Sequence, residues 1–74
     1  MIDIETFKNF QDFSRDAQIL IFAMIHEIQT TKHIYRIYIE GCFDMLVENY
    51  GYPEPQESKN DIVDFVEMFF KTQY

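Results

Sequence analysis

The sequence predicts an all-α fold, a small helical bundle with three main helices plus a short N-terminal helix, formed as one domain over residues 1–74. Three observations carry this. Ile19-Leu20-Ile21-Phe22-Ala23-Met24-Ile25 is an unbroken apolar run between the polar residues Asp16 and Gln18 on one side and His26 and Glu27 on the other. Apolar residues then recur at i, i+3, i+4 spacing from Tyr35 to Leu46 and again from Ile62 to Phe70, the mark of a helix with one buried face. The single stretch that alternates like a strand, His33 to Ile39, runs into Glu40-Gly41-Cys42-Phe43-Asp44-Met45-Leu46, which has no strand character.

Asp3 is placed to cap a first helix over about residues 4–12, with Glu5 in its first turn. Ile4, Phe7, Phe10 and Phe13 recur every third residue, a period that drifts around a 3.6-residue helix. Ser14 interrupts and caps a central helix near 15–29, with Asp16 at the positive end of its dipole. The apolar run of this helix points all round its axis, so the rest of the chain is expected to wrap it, with Leu20 and Phe22 in the core.

Gln29-Thr30-Thr31-Lys32 contains no Gly or Pro, yet its two β-branched residues weaken a helix. We read a break there and a third helix over 32–50. The alternative, one helix running on to Tyr50, would be about 36 residues, far beyond the usual 10–14. Tyr35, Tyr38, Ile39, Cys42, Met45 and Leu46 form the apolar stripe of the third helix, leaving His33, Ile37, Glu40, Asp44 and Glu48 on a narrow outer strip. Gly41 costs up to about 1 kcal/mol against Ala in a helix interior, and close approach by another helix is the expected return. Gly51 ends the helix, and Tyr52-Pro53-Glu54-Pro55-Gln56-Glu57 reads as an extended linker too polar to pack. Ser58 caps a last helix near 59–72, with Asp61 at N3, a buried face of Ile62, Phe65, Val66, Phe69 and Phe70, and an outer Glu67/Lys71 pair.

Composition narrows the function. Eight Phe and five Tyr among 74 residues offset the small size of the core. Cys42 is the lone cysteine, so no internal disulfide forms, and with an acidic N-terminus and no window long enough to span a bilayer the expectation is a cytoplasmic protein. The net charge of −7 is uneven: residues 1–37 hold four Lys and Arg against five Asp and Glu, residues 38–74 two against eight. Such a chain does not bind nucleic acid or anionic membrane directly, since Lys and Arg supply that affinity, and its natural partner is a basic protein surface.

The chemistry-bearing residues point away from catalysis. His26 and His33, with Glu27 and Glu40, do not make a His-Glu-x-x-His pattern, so no metal is expected. Cys42 lies on the apolar stripe as a small buried thiol, and no phosphate loop, serine elbow or activated lysine is present. We therefore expect no catalytic residue, no cofactor and no enzyme. Glu40, Asp44 and Glu48 form a row at i, i+4, i+8, which either solvates the surface or presents an ordered line of negative charge that a nucleic-acid-binding groove accepts in place of phosphates. Reversing two of them to Lys is expected to leave the melting temperature equal or higher.

Tyr50-Gly51-Tyr52-Pro53, an acidic loop, then Ile62-Val63 opening a helix, resembles the corresponding segment of the small acidic immunity proteins that block nuclease toxins. The likeness covers under a third of the chain, and no site residue is carried over from it. The abundance of Ile, Phe, Tyr, Asp and Glu, with only Ala17 and Ala23 for alanine, fits an AT-rich genome such as many phages and mobile elements have. The sequence thus points to a small acidic protein-binding module, a phage or mobile-element inhibitor that mimics DNA and occupies a basic surface of a nucleic-acid-handling enzyme through Glu40, Asp44, Glu48 and Ile37. The alternative is a structural or regulatory homodimer that acts as an adaptor through its apolar face, with Tyr35, Tyr38 and Ile37 at the interface.

Overall fold

The computed structural model describes residues 3–7 and 9–73. Three helices form the bundle: α1 (Arg15–Thr31), α2 (Arg36–Glu48) and α3 (Lys59–Gln73), each packed against the other two. Two 3-10 turns, Ile4–Thr6 and Phe10–Asp12, precede them. The predicted N-terminal α-helix is thus replaced by tighter turns on either side of Asn9, whose φ of 57° is left-handed. The reason lies in the period-three spacing. A 3-10 helix has about three residues per turn, so residues three apart eclipse on one side, and here Phe7 and Phe10 are buried while Ile4 and Phe13 pack against the same core. Asp3 precedes the first turn without a side-chain capping bond. Lys8, inside the predicted helix, lies outside the described residues.

Both serine caps form. The Ser14 hydroxyl accepts from the Ala17 N–H at 3.2 Å, and the Ser58 hydroxyl accepts from the Asp61 N–H at 3.2 Å. α1 ends at Thr31, where Lys32 turns left-handed with φ 62° and its N–H donates to the Ile28 carbonyl. The hydroxyls of Thr30 and Thr31 donate to the His26 and Ile28 carbonyls, so the break needs no glycine. α2 starts only at Arg36, because His33–Tyr35 is irregular chain, and it stops at Glu48. Gly51, at φ 76°, then reverses the chain so that the Tyr52 N–H donates to the Leu46 carbonyl at 3.1 Å.

The core consists of Leu20, Ile21, Met24, Ile25 and Ile28 of α1, Ile39, Cys42, Phe43 and Leu46 of α2, and Ile62, Val63, Phe65, Val66, Phe69 and Phe70 of α3, closed at one end by Phe7 and Phe10. Three sequence-based expectations are corrected here. α1 is not wrapped: Ile19 is exposed and Phe22 keeps 41 % of its surface, its ring edge-on to Phe10 at 5.3 Å between centroids. Gly41 is not a close-approach site, since a Cβ built there meets nothing within 4 Å. The segment after Gly51 does pack. Pro55 is buried, Tyr52 rests against the core, and Glu57 accepts from the Ser14 N–H at 2.6 Å and from its hydroxyl at 2.8 Å, tying the linker to the start of α1. No helix among the described residues is long and apolar enough to cross a membrane.

Candidate functional site: the outer face of α2 and its border with α3

At 100° per residue, Ile37, Glu40, Gly41, Asp44 and Glu48 share the side of α2 opposite its buried residues Ile39, Cys42, Phe43 and Leu46. Ile37 stands 79 % exposed on that side, as its place on the outer strip implies. The acidic row is there, but its members differ in surroundings. Glu40 meets Arg36 one turn earlier at 3.4 Å. Asp44 receives both carboxylate hydrogen bonds from Lys59 of α3, at 2.8 and 2.9 Å, and the same ammonium lies 5.8 Å from the centre of the Phe43 ring. Glu48 is exposed and makes no ion pair among the described residues.

Arg36 is the hub of this border. Besides Glu40 it reaches across to α3, where one guanidinium nitrogen donates to Asp64 at 2.7 Å and to Glu67 at 3.0 Å. The hydrogen bond to Asp64 outweighs the cost of partial desolvation, and with the bond to Glu67 it holds the Arg36 pKa above its already high ordinary value. The row along α2 therefore continues through Arg36 onto α3. Sequence reasoning missed this continuity, because spacing relates residues within a helix and Arg36 and Asp64 meet only once two helices are packed.

Tyr35 and Tyr38 do not join the buried stripe. Tyr35 is 68 % exposed at the start of α2, Ile34 beside it is exposed, and Tyr38 is exposed with its ring against His33 at 4.8 Å between centroids. Together with Ile37 they form an apolar corner. Cys42 is buried, and burial, with the Glu27 carboxylate, pushes its thiol up to about 11, so at neutral pH it is protonated and a poor nucleophile. Among the described residues no group of three or more His, Cys, Asp or Glu side chains is placed to hold a metal ion, and no polar or charged residue is buried.

A second feature adjoins this face. A cleft of about 330 Å³ opens between the N-terminal turns and α3, lined by Phe7, Phe13, Phe65 and Met68 with Asp61 and Asp64. No single stretch of sequence signals it, since the walls come from segments more than forty residues apart.

Compared with protein-family models, with curated proteins and with solved structures, the chain matches none.

Proposed function

We propose that this chain is a small acidic protein-binding module that docks the outer face of α2, with the adjoining side of α3, onto a basic surface of a larger protein, as an inhibitor occupying the nucleic-acid-binding surface of an enzyme. The observation that carries the reading is Ile37, an isoleucine at 79 % exposure on a face otherwise set with carboxylates. α2 and α3 together hold Glu40, Asp44, Glu48, Asp61, Asp64 and Glu67 against Arg36, Lys59 and Lys71, so the face is net acidic even after its internal pairs. Negative charge around a projecting apolar side chain suits steering by the field and anchoring by burial. Lacking a basic patch, the module acts on the enzyme rather than on nucleic acid or membrane. The composition supports a phage or mobile-element origin.

The test is capture with the intact protein as bait at low and high salt, followed by the double variant Ile37→Ser, Glu48→Lys. Among the described residues Glu48 has no ion pair to lose and Ile37 is 79 % exposed, so the melting temperature stays near the parent's, while affinity for the captured basic protein falls about tenfold or more. Unchanged affinity overturns the proposal. Tyr35, Ile37 and Tyr38, exposed together at one corner, support the second reading, a homodimer acting as an adaptor. A dimer mass in sedimentation at micromolar concentration, abolished by Ile37→Ser, supports it, and a monomer removes it.

A further inference from the structure

The cleft beside α3 brings aromatic rings and carboxylates together, with the half-buried Phe13 ring the most open of the three and Phe7 and Phe65 largely buried. Phe65 meets Phe7 at 5.5 Å and 83° and Phe13 at 5.3 Å and 80°, so two rings stand almost perpendicular to a third. Asp61 and Asp64, one helical turn apart, line the same cleft, and Met68 lines it with a flexible, polarizable thioether. Asp64 gives only its Oδ1 to Arg36, and Asp61 makes no ion pair among the described residues. Aromatic walls with carboxylates at hand are complementary to a side chain that has an apolar stem and a cationic head. The volume of about 330 Å³ accommodates one such side chain.

We propose that this cleft receives an arginine side chain of the basic partner protein. A guanidinium is flat, weakly hydrated and able to stack on a ring while its fork donates to a carboxylate, whereas an ammonium is a compact, strongly hydrated charge and a quaternary ammonium has no hydrogen to donate to Asp61 or Asp64. Asp64 already accepts from one guanidinium nitrogen of Arg36 on its α2 side, at 2.7 Å. Through Arg36 the cleft is continuous with the acidic row, so one partner can engage both. The inference rests on the preceding reading only in taking the partner to be basic.

The experiment titrates the whole protein with N-acetyl-arginine amide and follows the Met68 methyl and the Phe13 and Phe65 ring resonances by NMR. Saturable shifts confined to these residues are expected, with N-acetyl-lysine amide weaker and the uncharged isostere N-acetyl-citrulline amide giving none. Asp61→Asn and Phe13→Leu each weaken arginine binding by about threefold or more, the scale of one exposed charge pair or one cation–ring contact, while Glu48→Gln leaves it unchanged. Asp61 caps nothing through its side chain, so Asp61→Asn keeps the fold even if Phe13→Leu does not. Equal shifts with citrulline or lysine, or none with arginine at tens of millimolar, overturn the assignment. That failure leaves the α2 reading standing, and failure of the Ile37, Glu48 variant leaves the arginine titration untouched.

Discussion

Leu20 and Phe22 sit two positions apart in one apolar run, and their fates differ because a helix turns them to different sides. Leu20 is fully buried, and Leu20→Ala is expected to cost about 2–5 kcal/mol in denaturant unfolding, through lost transfer energy and the cavity left behind. Phe22, at 41 % exposure, keeps one edge-on ring contact, so Phe22→Ala costs about 1–2 kcal/mol, below the core value the sequence alone suggests. Gly41 reverses the usual expectation for a helix glycine. A methyl group there meets open space, so Gly41→Ala gains helix propensity without a clash. The variant is expected to be more stable by up to about 1 kcal/mol, raising the thermal midpoint by up to about 4–8 °C. A destabilised Gly41→Ala would mean that another helix does approach α2 there.

At the scale of elements, the joints between helices hold most of the polar specificity. Glu57 fastens the segment before α3 to the first residue before α1. Burial alone would raise its pKa, but the Ser14 N–H and hydroxyl donate to the charged form and, with a further backbone bond, hold the carboxyl below the ordinary glutamate value. A folded-state pKa below the unfolded one adds stability that is present above the unfolded value and lost as pH falls through the folded one. Glu57→Gln should therefore lower stability at neutral pH by about 1 kcal/mol, a charged hydrogen bond discounted for solvent screening. The difference from the parent should shrink as pH falls below the ordinary glutamate range toward the lowered folded-state value, where the parent's Glu57 also protonates. Urea titrations of both proteins at pH 7 and pH 3 measure this directly. Charge reversal on α2 follows the same reasoning. Glu40 and Asp44 already hold Arg36 and Lys59, so reversing these two places like charges together, and the expectation of an equal or higher melting temperature belongs to Glu48, which holds no cation.

The whole molecule is thin. Its Cα atoms span 30 × 26 × 17 Å, room across the short direction for two layers of helices whose axes lie about 8–10 Å apart and whose Cα atoms sit about 2.3 Å off axis. In so thin a bundle every helix keeps an open side, which is why Ile19 and Phe22 on α1, Tyr35 and Ile37 on α2 and Met68 on α3 remain exposed. The open sides carry different chemistry. Those of α2 and α3 hold six carboxylates against three cations, and under the proposed reading a basic partner meets the surface where that charge surrounds Ile37 and continues to the aromatic cleft.

Ser14, Gly51 and Ser58 show what sequence by itself determined: the three main helices and the starts of α1 and α3, whereas Lys32 ends α1 rather than opening α2, which begins only at Arg36. Capping and chain reversal act within a few residues, as the bonds from Ala17 to Ser14, Tyr52 to Leu46 and Asp61 to Ser58 show, so they are legible in local order. The period of three at Ile4, Phe7, Phe10 and Phe13 was equally visible, yet it suits a 3-10 geometry, and only contact with Phe65, Phe69 and Phe22 selects that form. The acidic row and exposed Ile37 were likewise visible as a strip on one helix. Tertiary structure alone decided which carboxylates keep free charge, that Glu57 anchors to Ser14, and that Phe13, Phe65 and Asp61 share a cleft. The ion pairs and hydrogen bonds among these pairings join residues 15 to 43 positions apart. Their energy depends on how helices pack, not on the neighbours each residue has along the chain.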